Sequence, residues 1–316
     1  MFFLIAGILI VFLISLCTGT ESCSFLELVQ LFSGGEVSDT VRRIFFEIRL
    51  PRLLASFLIG GMLAAAGAVS QNLFRNDLAS PHVLGIVNAS ALGAVIGLFA
   101  GGYWITPLSL AAGIFSLLIL YLPGKRRNWD GSVLILAGVA VNAFTAALTS
   151  GLLYLADERL SSLVFWLLGG FWRISWHDFL ILIPSAAVGF GILFYFIPEI
   201  DMLLLGDRMA ELSGVPLKKL KPFLLLAVAM LTASAVSCSG VIGFVGLAIP
   251  HVIRLFYGAG FRRVLPCSIL GGGFLLLLAD LAARTVMSPQ EIPVGILTAL
   301  CGGPFFFYLL LKRRGI

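Results

Sequence analysis

The sequence predicts an all-α integral membrane protein of about ten transmembrane helices, and three observations carry that expectation. Of its 316 residues, 59% are hydrophobic and only 12% charged, against roughly 45–50% and about 25% in soluble domains. Half the usual charge cannot cover a water-soluble globule of this size, so a soluble enzyme is excluded. The mean hydropathy is +1.06, and the apolar stretches are long and continuous, whereas strands of a membrane barrel alternate over about ten residues. At about 20 apolar residues per crossing plus short connections, the length accommodates around ten helices in one domain spanning 1–316.

The first element is Met1–Cys17, an uncharged apolar run. A secretory signal carries a basic n-region and a small-residue cleavage site. Here no Lys or Arg precedes Arg42, so the run is read as a membrane helix that stays. Further spans follow near Leu53–Leu73, Val83–Ala100, Ile105–Leu122, Ser132–Leu155, Phe179–Ile197, Pro222–Val236, Val241–Phe256, Pro266–Val286 and Ile292–Leu311. An even number puts both termini on one side.

Positive charge chooses that side. The even-numbered connections and the C-terminal tail hold Arg75, Lys125, Arg126, Arg127, Arg208, Lys218, Lys219, Lys221, Arg254, Arg262, Arg263, Lys312, Arg313 and Arg314, two thirds of all Lys and Arg. Arg42, Arg43, Arg49, Arg52, Arg159, Arg173 and Arg284 lie in or near the opposite connections. Both termini are therefore expected in the cytoplasm, and the net charge of +5 follows from membrane orientation. A nucleic-acid partner is not needed to explain it; the expected surroundings are lipid.

The 35 glycines fall mostly inside the spans, as at Gly60-Gly61, Gly67 and Gly271-Gly272-Gly273. Lipid supplies no hydrophobic drive between helices, so they associate by close backbone approach at small residues. A tightly packed bundle is expected. The five cysteines contain no C-x-x-C pair, and the three histidines are scattered. Cofactor chemistry is not expected, nor a metal site or catalytic residues.

Two connections are long and polar enough to act. The outer one, Thr18–Arg52, carries Glu21, Glu27, Glu36, Asp39, Arg42, Arg43, Glu47, Arg49 and Arg52. The cytoplasmic one, Pro198–Lys221, mixes Leu204, Leu205, Ala210, Leu212 and Val215 with Asp207, Arg208 and Glu211, and Gly206 and Gly214 break it into two pieces. Short amphipathic helices at the membrane surface are its natural structure, serving either as interfacial anchors or as a docking platform for a cytoplasmic partner. Within the spans, charge is nearly confined to Asp280 and Arg284, whose i,i+4 spacing lets them pair on one helix face. An ion-coupled transporter acting without an ATPase would need ion-coordinating groups near the midplane, and no string of Asp, Glu and His supplies them. Asn72, Gln71, Asn76, Asn88 and Asn142 are polar groups at membrane depth that either line a path or bond between helices.

A series of motifs then carries a resemblance. Ile48-Arg49-Leu50-Pro51-Arg52 leads to Gly60-Gly61 and Gly67, then Arg75-Asn76-Asp77-Leu78-Ala79-Ser80-Pro81. Trp166-Leu167-Leu168-Gly169-Gly170, Leu203-Leu204-Leu205-Gly206, Gly243-Phe244-Val245-Gly246-Leu247 with Ile249-Pro250-His251, and Glu291-Ile292-Pro293-Val294-Gly295 follow. In order and spacing, from about Arg42 to Lys312, the chain resembles the FecCD-type permease subunits of type II ATP-binding-cassette importers, which take up iron-siderophores, haem and vitamin B12. One departure is Asp77, where the family usually has proline. The resemblance implies a permease in the cytoplasmic (inner) membrane of a prokaryote, paired with a second permease subunit, either a copy or a homologue. It further implies two cytoplasmic ATPase subunits, which alone use ATP, and an extracytoplasmic substrate-binding protein. By motif, Leu205, Gly206, Ala210, Leu212 and Gly214, in a coupling segment of about 203–215, engage the ATPases. Arg49, Arg52 and Arg284 meet acidic groups of the binding protein, and Asn76, Leu78 and Ser132 form the inner gate.

Overall fold

The computed structural model describes residues 2–18, 30, 38–157 and 160–312. Its elements are all helical: α1 (Phe2–Cys17), α2 (Leu50–Phe74), α3 (Ile86–Phe99), α4 (Ile105–Arg126), α5 (Gly131–Tyr154), α6 (Leu160–Leu167), α7 (Trp176–Tyr195), α8 (Ile197–Leu203), α9 (Asp207–Leu212), α10 (Leu217–Ser239), α11 (Val245–Tyr257), α12 (Phe261–Thr285) and α13 (Val294–Lys312). Among the described residues six helices are long and apolar enough to cross a membrane, and α1, α3, α11 and α13 contain shorter apolar stretches. Glu21, Glu27, Glu36, Arg159, Arg313 and Arg314 lie outside the described residues.

Two helices form the axis of the bundle. The apolar windows of α2 and α10 are 83% and 78% buried, against 22–28% for α4, α5 and α7. In α2 the cause is a run of small side chains: Gly60, Gly61, Ala64, Ala65, Ala66, Gly67 and Ala68 are all buried. Gly60 meets Gly272 of α12, and Gly67 meets Gly246 of α11, so closely that a Cβ on either α2 glycine would overlap the facing carbonyl. Small residues thus convert backbone contact into dispersion energy where lipid offers no hydrophobic gain. Gly60→Val is expected to destabilise the bundle by about 3 kcal/mol through overpacking. Gly303→Val is the control, since a Cβ at Gly303 has nothing within 4 Å. Equal thermal midpoints for the two variants would defeat this account.

The structure differs from the sequence expectation at two places. The polar connection 18–52 is already helical from Asp39, capped by Ser38, whose Oγ accepts from Val41 N at 3.3 Å. A π-helical stretch at Ile44–Arg49 joins this turn to α2. Such wide turns accommodate what a regular ladder cannot, here the ring of Pro51 one residue inside α2. Arg42, Arg43 and Glu47 are exposed, so these charges extend a helix beyond its buried length where their polarity suggested a loop. The second difference is α6, an eight-residue helix with buried Leu163 and Trp166, too short to stand out as a span.

Candidate functional site

One end of the bundle carries a rigid platform. Helices α8 and α9 are joined by Gly206, whose φ of +101° and ψ of 155° fall in a region that only glycine occupies readily. Leu203, Ala210 and Val215 turn inward and are buried, whereas Leu205, Met209 and Leu212 are 62%, 51% and 76% exposed. A buried lysine fixes the platform. Lys221 Nζ, in the second turn of α10, donates to Trp129 O at 3.0 Å and to Asp207 Oδ2 at 2.6 Å, tying α9 to α10 and to the α4–α5 turn. Asp201 of α8 accepts from Phe261 N at the start of α12. Of the residues expected to couple, Leu205 and Leu212 present apolar surface, Ala210 anchors, and Gly206 and Gly214 (φ +86°) make the turns. Lys221 went unrecognised in the sequence because one lysine among several at a basic helix start carries no distinguishing mark.

The same end holds Asn76, Leu78 and Ser132. Helix α2 stops at Arg75, in the left-handed region with φ +47°. There Asn76 N donates to Gln71 O at 3.1 Å, and Asn76 Oδ1 accepts from Leu78 N at 2.9 Å. This local turn leaves the Leu78 side chain 45% exposed. Ser132 is exposed at the start of α5, where Asp130 Oδ1 accepts from Ser132 N and Val133 N at 3.0 and 3.1 Å. Gly131 lies against Phe74, which puts the two turns side by side. Arg254 of α11 spans the space behind them. It donates to Asn72 Oδ1 at 2.8 Å, to Ala68 O at 3.3 Å and to Gln71 Oε1, and lies 3.9 Å from Asp77 Oδ1. Gln71 and Asn72 therefore bond between helices, and Asp77, the departure from the usual proline, faces this arginine.

A closed ionic cluster sits at the opposite end. Arg52 binds Asp280 Oδ1 through Nε and Nη2 at 2.9 and 2.8 Å, and Glu291 through Nη1 and Nη2 at 3.0 and 2.9 Å. Arg284 Nε lies 3.2 Å from Asp280 Oδ2, so the expected Asp280–Arg284 pair forms, but Asp280 is shared between two arginines. Arg284 Nη1 also donates to Thr18 O at 3.1 Å, Arg284 Nη2 bonds Ser15 Oγ, and Arg49 Nη1 donates to Leu16 O at 2.7 Å. The last carbonyls of α1 have no partners within the helix and form its negative pole; these arginines serve them. Arg49, Arg52 and Arg284 are each buried, at 5–6% exposure. Glu291 stands 239 positions from Arg52, and no local pattern in the sequence shows that it reaches α2.

A model of the FecCD transport family matches residues 7–312. The hemin transport system permease protein HmuU of Yersinia pestis is 37% identical, with 98% of this chain and 96% of the relative covered. The cobalamin import system permease protein BtuC of Halobacterium salinarum is also 37% identical, covering 88% and 76% respectively. A solved structure of a metal-chelate type ABC transporter in an inward-facing conformation superposes with a TM-score of 0.89 at 33% identity, covering 98% of both chains.

Proposed function

The chain belongs to the FecCD transport family, and from that premise we propose the following cycle and assembly. The protein is the multi-pass membrane permease of a binding-protein-dependent ABC importer, and its cargo is an iron chelate, haem or a cobalamin-like ligand. The four shorter apolar helices cross together with the six long ones, giving ten spans with both termini in the cytoplasm of a prokaryote. ATP is hydrolysed by two separate ATPase subunits, a second permease subunit completes the path, and a binding protein delivers cargo from outside. This chain binds no nucleic acid, and no metal or cofactor is resident in it.

The observation that carries this reading is the platform of α8 and α9. An anchored pair of short helices with Leu205, Met209 and Leu212 exposed gives a cytoplasmic motor something stiff to push. Because Lys221 ties it to the buried axis helix α10, displacement of the platform is transmitted to the bundle, whose packed helices shift as units between outward and inward openings. Asn76, Leu78 and Ser132 form the inner constriction beside it. At the outer end, Arg49, Arg52 and Arg284 attract acidic groups on the binding protein. Being buried, they act through the field above them and through exchange of partners with Glu291, the more exposed of the two carboxylates. Such pairing mainly steers and orients the encounter.

Reconstitution tests the whole. Liposomes holding the permease, its ATPase and the binding protein are expected to accumulate radiolabelled haemin or cobalamin only with ATP inside. Uptake driven by an ion gradient with no ATPase present would establish the ion-coupled alternative instead.

A further inference from the structure

The connection between α10 and α11 separates two spaces. On one side is an interior cavity of about 250 Å³ whose lining includes Leu63, His82, Thr232 and Phe244. On the other is an open groove of about 590 Å³ along α13, lined by Leu168, Phe244, Gly295, Ala299 and Leu300 among others. Phe244 borders both spaces. Its ring rests on α13 where Gly302 leaves room for it, and a Cβ at Gly302 would fall against the ring. About one turn further along α13, Phe306 has its ring centroid 6.2 Å from that of Phe244.

The backbone at this point is built to turn. Phe244 has φ +66° and ψ −27°, a left-handed conformation that a bulky side chain rarely adopts. On its C-terminal side the chain is fixed by the first turn of α11, where Ala248 N donates to Phe244 O at 2.7 Å. On its N-terminal side the half-buried imidazole of His82 faces the backbone of Ile242, and desolvation holds it below its ordinary pKa. Between these two fixed points stands Gly243, and a Cβ there would meet nothing within 4 Å. The cavity has room for the ring: a void of about 150 Å³ is enough to take up benzene. The hydroxyl of Thr232 in its wall is buried without a hydrogen-bond partner in this state, an exception among buried polar groups.

We propose that Phe244 is a swinging partition: rotation about Gly243 carries its ring from the groove on α13 into the interior cavity, widening the groove for cargo. The inference rests on the reading of the chain as a permease, and it adds that the groove along α13 belongs to the path and that Phe244 sets its width. The direction of the swing is set by space, since the cavity that Phe244 borders is large enough to receive the ring without moving a helix.

Two measurements on the complete transporter in lipid nanodiscs test it. A trifluoromethyl-phenylalanine placed at 244 is expected to report different fluorine chemical shifts in the nucleotide-free and vanadate-trapped complexes. The second uses a filled cavity, Leu63→Phe with Thr232→Ile, which also removes the unpartnered hydroxyl. This variant is expected to associate with the ATPase within twofold of wild type, to keep or raise the thermal midpoint, and to lose uptake at least tenfold, with one fluorine signal in both states. A fluorine signal at 244 unchanged by trapping in the otherwise wild-type complex overturns the proposal, even if the filled variant does not fold. Uptake by the filled variant within twofold of wild type also overturns it. Loss of ATPase association in the wild-type chain would instead strike the permease reading itself.

Discussion

Replacing Leu205 and Leu212 together with glutamate is expected to abolish co-purification of the ATPase and all ATP-driven uptake, while the permease itself stays folded. Both side chains are more than half exposed in the isolated chain, and exposed substitutions away from special features shift stability by only about 0.5 kcal/mol. On the proposed docking face they are the most exposed apolar side chains of the α8–α9 segment. Truncating a buried interface anchor costs about 2 kcal/mol or more, and a desolvated carboxylate adds to that. Every 1.4 kcal/mol is tenfold in affinity, so the double variant should bind at least about 30-fold more weakly. Gly206→Arg acts by another route. A side chain at φ +101° strains the turn, and its Cβ would stand 3.0 Å from Arg75 Nη1, so the platform is misshapen while its apolar surface remains. If both variants retain ATPase association and transport, the platform is only an interfacial anchor.

The legible part of this molecule is the part governed by local composition. Long apolar runs located the apolar helices to within about five residues at either end, because in lipid every backbone group must be bonded inside its own helix. The two glycines of segment 198–221 located the break between α8 and α9, because Gly206 sits where only glycine is comfortable. The pairing of charges across helices was not legible. Asp280 and Arg284 are four residues apart and visible as a pair, yet Arg52, 228 positions away, takes the other oxygen of the same carboxylate. Lys221 and Arg254 sit among ordinary basic residues at the end of the bundle that carries the platform. Their partners, a backbone carbonyl of Trp129 and the amide oxygens of Gln71 and Asn72, become neighbours only after α2, α4, α10 and α11 have packed. The motif groups Arg49, Arg52 and Arg284, but only packing shows how deeply they are buried.

That burial leads to the second large effect, at Asp280. The carboxylate is fully buried between Arg52 and Arg284, and removing one member of a buried ionic set leaves the others uncompensated, at a cost of about 3–5 kcal/mol. Asp280→Ala is expected to lower the thermal midpoint of the purified permease by several degrees and to raise its sensitivity to SDS, with no other subunit present. Arg52 retains Glu291 and Arg284 retains the carbonyls at the end of α1, which keeps the loss within that range. Replacing both buried partners, Arg52→Met with Asp280→Leu, should recover at least about half of the loss, since apolar substitutes for a buried pair are frequently neutral. The coupling between the two sites should then be favourable in a double-mutant cycle. Strict additivity, or a midpoint for Asp280→Ala equal to wild type, would mean that the cluster does not hold α2 to α12. The distinction bears on transport, because a binding protein that competes for Arg52 would have to loosen this same clamp. With the clamp already cut by the double substitution, docking affinity should become less sensitive to salt, as screening acts on the charges that remain.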